Sequence, residues 1–145
     1  MALLFNRKKN KYIELKLYRK NEPDWIAYSI CGGKISQKRI ELFRLDNDGL
    51  FFHDAYDKEV ENIINGLRNI KESRHYVFEP TDEGEFLLKS DYRDNMINII
   101  LQFRIIDMIK REEVKDNIFD IDTTYVILNE FLTQLKKEYD NVTLL

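Results

Sequence analysis

Few side chains in this 145-residue sequence are able to do chemistry. Covalent catalysis needs a nucleophile beside a base; the single thiol is Cys31, and His53 and His75 are the only imidazoles. Cys31 ends an apolar stretch that begins at Trp25, where a cysteine ordinarily packs as a small hydrophobe. No spacing brings either histidine to it. His53 and Asp54 are adjacent, but neighbours on an extended segment face opposite ways, so they form no dyad; Asp54 reads instead as a helix cap. Two histidines far apart and one cysteine leave a transition metal without a ligand set. Asp120-Ile121-Asp122 has the D-x-D form that holds Mg²⁺ in phosphoryl chemistry. It reads equally as a strand end in which Asp122 caps the last helix and Asp120 shares its side. Cys31-Gly32-Gly33-Lys34 lacks the spacing and the following helix of a phosphate loop, and Gly32-Gly33 reads as a hairpin turn. The sequence therefore predicts no catalytic, cofactor-binding or metal-ligating residue, no cofactor, and a protein that is not an enzyme.

The charge pattern points toward a partner. The formal net charge of −3 is unevenly spread: Arg7, Lys8, Lys9, Lys11, Lys16, Arg19 and Lys20 stand against Glu14 alone in the first 20 residues, so the remainder is strongly acidic. An acidic body disfavours nucleic acid, whose affinity depends on phosphate neutralisation, and favours a cationic protein. Two acidic clusters suit a docking face, the turn Glu79, Asp82, Glu83 and Glu85 and the run Asp46, Asp48, Asp54, Asp57, Glu59 and Glu61; the candidate partner-binding residues are that turn together with Asp46 and Asp48. The apolar Met1–Phe5 precedes its charges, the reverse of a signal peptide, and no apolar run approaches the roughly 20 residues of a membrane span. The expected location is the cytoplasm, away from membranes.

These residues must be positioned by a strand-rich scaffold. Residues 1–10 read as a basic arm and 11–145 as a single domain. Ile13, Leu15 and Leu17 alternate with polar residues, as do Ile26, Tyr28 and Ile30, the period of half-buried strands. Asp46-Asn47-Asp48-Gly49 reads as a hairpin turn before the short apolar strand Leu50–Phe52. Tyr56, Val60, Ile63, Ile64, Leu67 and Ile70 fall on one helical face; Gly66 within it implies a close helix–sheet approach. Strands return at His75–Glu79, around Phe86–Tyr92, at Met96–Ile106 and at Ile118–Ile121, with Lys110–Asn117 a charged loop or edge. Tyr125, Leu128, Phe131, Leu132, Leu135 and Tyr139 make a last amphipathic helix. The predicted fold is α+β: a mainly antiparallel, curved sheet of about seven to eight strands with helices over about 55–70 and 123–140 packed on one face.

Trp25, the Leu50-Phe51-Phe52 run into a helix with Val60, Ile64 and Leu67, the strand Tyr76-Val77-Phe78-Glu79-Pro80, Phe86-Leu87-Leu88, and Phe119-Asp120-Ile121-Asp122-Thr123-Thr124-Tyr125 before Leu128, Phe131, Leu132 and Leu135 form one pattern. Over about residues 12–140 it resembles the WapI-like immunity proteins of bacterial polymorphic-toxin systems. The pattern usually has a Gln where Asp122-Thr123-Thr124 stands here. The resemblance implies a non-catalytic protein that binds and neutralises a cognate toxin domain. Two other readings compete: a ligand-binding domain or enzyme using His53, Arg104, Asp120 and Asp122 in a sheet–helix pocket, and a subunit that homodimerises through a sheet edge or aromatic face.

Overall fold

The computed structural model describes residues 1–22, 24–46, 50–80, 86–107 and 112–143, excluding the side chains at 21, 104–107 and 112–117. The fold is α+β, with nine strands in two antiparallel sheets and three helices among the described residues. The first sheet runs β1 (Ala2–Phe5), β2 (Lys11–Asn21), β3 (Trp25–Ser36) and β4 (Lys38–Leu45), with β5 (Phe51–His53) also on β3. The second is the meander β6 (His75–Phe78), β7 (Phe86–Arg93), β8 (Met96–Asp107) and β9 (Glu112–Thr123). Between the sheets in sequence lie α1 (Glu59–Arg68) and the short α2 (Ile70–Ser73), and α3 (Tyr125–Thr143) ends the described chain.

Period two sets the strands. Ile13, Leu15 and Leu17 of β2 and Ile26, Tyr28 and Ile30 of β3 are buried, as their alternation predicts. In the isoleucine-rich β8, Ile97, Ile99, Leu101 and Phe103 face the core, and the register places Phe103, Leu101 and Ile99 opposite Phe86, Leu88 and Ser90 of β7. One core joins both sheets to α1 and α3. Tyr28 stacks on Phe52 with ring centroids 3.8 Å apart, and Phe78 and Phe86 meet Phe52 edge-on. Helix α3 lies across β1 and β2 and against α1. At the β2 irregularity between Leu17 and Arg19, Glu138 of α3 accepts the Leu17 N–H at 2.6 Å.

Several local readings change. Ala2–Phe5, expected in a basic arm, pairs with β2 from Ala2↔Leu15 to Phe5↔Tyr12 and buries Ala2 and Leu4; the bases Arg7, Lys8 and Lys9 occupy the turn that follows. Gly32-Gly33 is no turn: β3 runs on to Ser36, and the chain reverses at Gln37 with φ 62°. The glycines mark a bulge, where a Cβ on Gly33 would lie 2.0 Å from the Ile40 carbonyl. β5 does not pair with β4. β4 takes the later part of β3, leaving Trp25–Ala27 free to pair with Phe51–His53.

The helices begin later than expected. α1 starts at Glu59, with Lys58 in a left-handed conformation and no side-chain cap. Asp54 is therefore not its cap, and Tyr56, expected on the apolar face, is 95 % exposed. Val60, Ile63, Ile64 and Leu67 do form that face. Before α3, Thr124 rather than Asp122 is the cap: its hydroxyl accepts the Ile127 N–H at 3.3 Å.

Candidate functional site

The turn at 54–58 borders an acidic cleft, and its buried residue is Asp54. Asp54 is 7 % exposed. Its Oδ2 lies 3.0 Å from Lys20 Nζ, its Oδ1 accepts the Tyr139 hydroxyl at 2.7 Å, and its N–H donates to the Asp24 carbonyl. A buried carboxylate is tolerable only with such partners. Burial, then the hydrogen bond to Asp54 and its charge, push the Tyr139 phenol well above its ordinary value. This pin ties the β2–β3 turn, the 54–58 segment and α3 together. It leaves Tyr56 and Asp57 pointing outward.

Past the pin, Asp57, Glu59 and Asn62 face Val77, Phe78 and Glu79 across a cleft of about 300 Å³. Glu59 is buried, and its Oε1 accepts the His53 N–H at 2.7 Å. His53 packs its ring 4.3 Å from Trp25, with Nδ1 3.9 Å from Asp57. On the other wall, Tyr76 donates its hydroxyl to the Asn62 carbonyl at 3.0 Å. A Cβ on Gly66 would sit 2.1 Å from the Tyr76 ring, so glycine is what lets α1 approach β6 this closely. The cleft thus has an exposed carboxylate from each side, Asp57 from the helix side and Glu79 from the strand end. β6 is an edge strand of its sheet among the described residues.

Of the six residues expected to bind a partner, Glu79 is exposed on this cleft. Asp46 is exposed at the end of β4, in the other sheet, 3.3 Å from both Arg44 Nη1 and the Tyr18 hydroxyl. Asp48, Asp82, Glu83 and Glu85 lie outside the described residues. Asp57 belonged to the acid-rich run read from the sequence, whereas Tyr56 was missed as a site residue because the pattern assigned it to the apolar face of a helix. The delayed start of α1 was the deciding feature, and Lys58 carried no sequence signal for it.

The candidate enzymatic groups are not brought together. His53 belongs to β5, whereas Asp120 and Asp122 lie on β9 beside the turn at 6–11; the Arg104 side chain is outside the described residues. Asp122 is held at 3.0 Å by Asn98 Nδ2. His75 pairs with Asp91 across β6 and β7, Nδ1 to Oδ1 2.6 Å, on an exposed surface. Cys31 is 3 % exposed, and burial pushes its thiol up to about 11, so at neutral pH it carries almost no nucleophilic thiolate. Among the described residues, no three His, Cys, Asp or Glu side chains gather as a metal site, and no helix is long and apolar enough to cross a membrane.

A second surface feature is apolar. Leu42 and Ile118, 56 % and 66 % exposed, line a groove of about 330 Å³ with Phe43, Leu45, Phe103 and Phe119, between the edge strands β4 and β9. No protein-family model, curated protein or solved structure matches the chain.

Proposed function

We propose that this chain is a non-catalytic, immunity-type protein of the cytoplasm that binds and neutralises a cationic toxin domain. The observation that carries the reading is the acidic cleft beside Tyr56. Asp57 and Glu79 present exposed carboxylates at this cleft, and the adjoining Tyr56 ring is 95 % exposed. A free tyrosine offers a large, rigid contact area at low entropic cost, and such rings anchor protein interfaces. Carboxylates around it steer a basic partner and accelerate encounter. The acidic stretch Asp82, Glu83 and Glu85 follows Glu79 closely in sequence and extends the same charge.

The test is co-expression with the product of the adjacent gene, scored by growth. Rescue by the wild-type chain, lost on Tyr56→Ala combined with Asp57→Lys and Glu79→Lys, supports the reading. Growth arrest that the wild-type chain does not relieve overturns it. With purified components, the two charge reversals should lower the association rate about tenfold at low salt, and less at high salt. An unchanged rate rules this face out.

A further inference from the structure

A second cleft, built from different residues, has a chemistry that the cationic-partner reading does not use. The turn between β1 and β2 and the end of β9 border an open cleft of about 420 Å³ whose lining includes Asn6, Arg7, Lys8, Lys11, Asp120 and Asp122. That falls within the range of about 300–1,000 Å³ typical of small-ligand sites. Its frame is pinned at both ends. Arg7 N–H donates to the Asp122 carbonyl at 2.7 Å, and the Thr123 hydroxyl donates to the Phe5 carbonyl at 2.8 Å. Asn6 Oδ1 accepts the N–H groups of Asn10 and Lys11, each at 2.9 Å, which closes the turn. Asn98 orients the Asp122 carboxylate.

The charges in this frame are opposite in sign but not joined. Arg7, Lys8 and Lys11 come from the β1–β2 turn and the start of β2; Asp120 and Asp122 come from the end of β9. Among the described residues none of the three cations forms an ion pair with either carboxylate, and Lys11 Nζ donates instead to the Asp120 carbonyl at 3.4 Å. Charges of both signs therefore border the same cleft without neutralising one another in ion pairs. A simple anion gains from the cations and is repelled by the carboxylates, whereas a ligand with separated charges gains from both. The hydrogen-bonded backbone holds the two elements that carry these charges together.

We propose that this cleft binds a small zwitterion with a free ammonium and a free carboxylate, an amino acid or short peptide. The carboxylate lies against Arg7 and Lys8 and the ammonium against Asp120 and Asp122. Binding is non-covalent and leaves the ligand unchanged.

The experiment titrates the ¹⁵N-labelled full chain with glycine, triglycine, N-acetyl-triglycine, triglycine amide and inorganic phosphate, following backbone amide shifts. Saturable shifts at Arg7, Lys8, Lys11 and Asp122 with glycine or triglycine are the expected result, and which of the two saturates at lower concentration reports the length bound. Blocking either terminus should weaken binding about tenfold, the value of one charge-assisted hydrogen bond. Asp120→Asn with Asp122→Asn should abolish discrimination against the acetylated peptide, and Arg7→Gln with Lys8→Gln discrimination against the amide. Retained far-UV circular dichroism confirms that these surface variants fold. Absence of saturation by both zwitterions overturns the proposal, as does phosphate or either blocked peptide binding as tightly as triglycine.

Discussion

Replacing Tyr139 by phenylalanine removes one oxygen and leaves the ring. That oxygen donates to Asp54 Oδ1 at 2.7 Å inside the fold, where Asp54 is 7 % exposed. Lys20 remains 3.0 Å from the other oxygen, so the carboxylate keeps its counter-charge but loses a donor. A hydrogen bond to a charged group contributes about 1.5–3 kcal/mol, more than a neutral one, because the group left behind is desolvated without compensation. Glu61 Oε1, 3.5 Å from the hydroxyl, is only a marginal second acceptor. The expected loss is about 2 kcal/mol, which lowers the melting temperature of a domain this size by about 6 °C. Thermal and urea unfolding at neutral pH measure it. A double-mutant cycle with Asp54→Ala, which removes the acceptor altogether, should return a coupling of about 2 kcal/mol, because the two side chains share one bond. Tyr139→Phe melting within about 1 °C of wild type, or a coupling near zero, refutes the claim that this pin holds the 54–58 turn to α3.

Alanine at Gly66 should destabilise despite its better helix propensity, because the new Cβ lies 2.1 Å from the Tyr76 ring; about 1–3 kcal/mol of overpacking exceeds the propensity gain of about 1 kcal/mol, and a urea midpoint above wild type refutes it. Thr124→Ala should cost about 1 kcal/mol through the lost cap of α3, read by chemical denaturation, with Asp122→Ala costing clearly less. The native Cys31 thiol should resist a thiol reagent at neutral pH and react once the chain is unfolded in urea. Its pKa is raised from 9.0 to about 11, chiefly by burial. The resulting stabilisation is complete below pH 9 and is lost as the pH rises through about 11. Urea midpoints measured across that window should therefore fall less for Cys31→Ala than for wild type.

Much of the scaffold was legible because burial writes its period into the chain. Ile13, Leu15 and Leu17, the β8 isoleucines, and the stripe Val60, Ile63, Ile64 and Leu67 sit where their spacing places them. Gly66 was legible too, since a glycine inside an amphipathic helix implies something pressed against it. Turn chemistry misled at Gly32-Gly33 and Asp54. Gly marks a reversal, a bulge or a close approach alike, and Asp caps a helix or anchors an ion pair with the same side chain. Only the neighbours choose, and Ile40, Lys20 and Tyr139 are remote in sequence.

The sequence by itself determined an α+β, mainly antiparallel protein with two long amphipathic helices, and it confined the excess positive charge to the first 20 residues. These follow from periodicity and composition, which are local. Tertiary structure decided that the strands divide into two sheets around one core and that β5 continues along β3. It also decided which charges share a cleft: Glu79 with Asp57, and Arg7, Lys8 and Lys11 with Asp120 and Asp122. The clefts depend on contacts between residues far apart in the chain. Their geometry is set by how the helices and both sheets pack, and no local pattern of side chains encodes that.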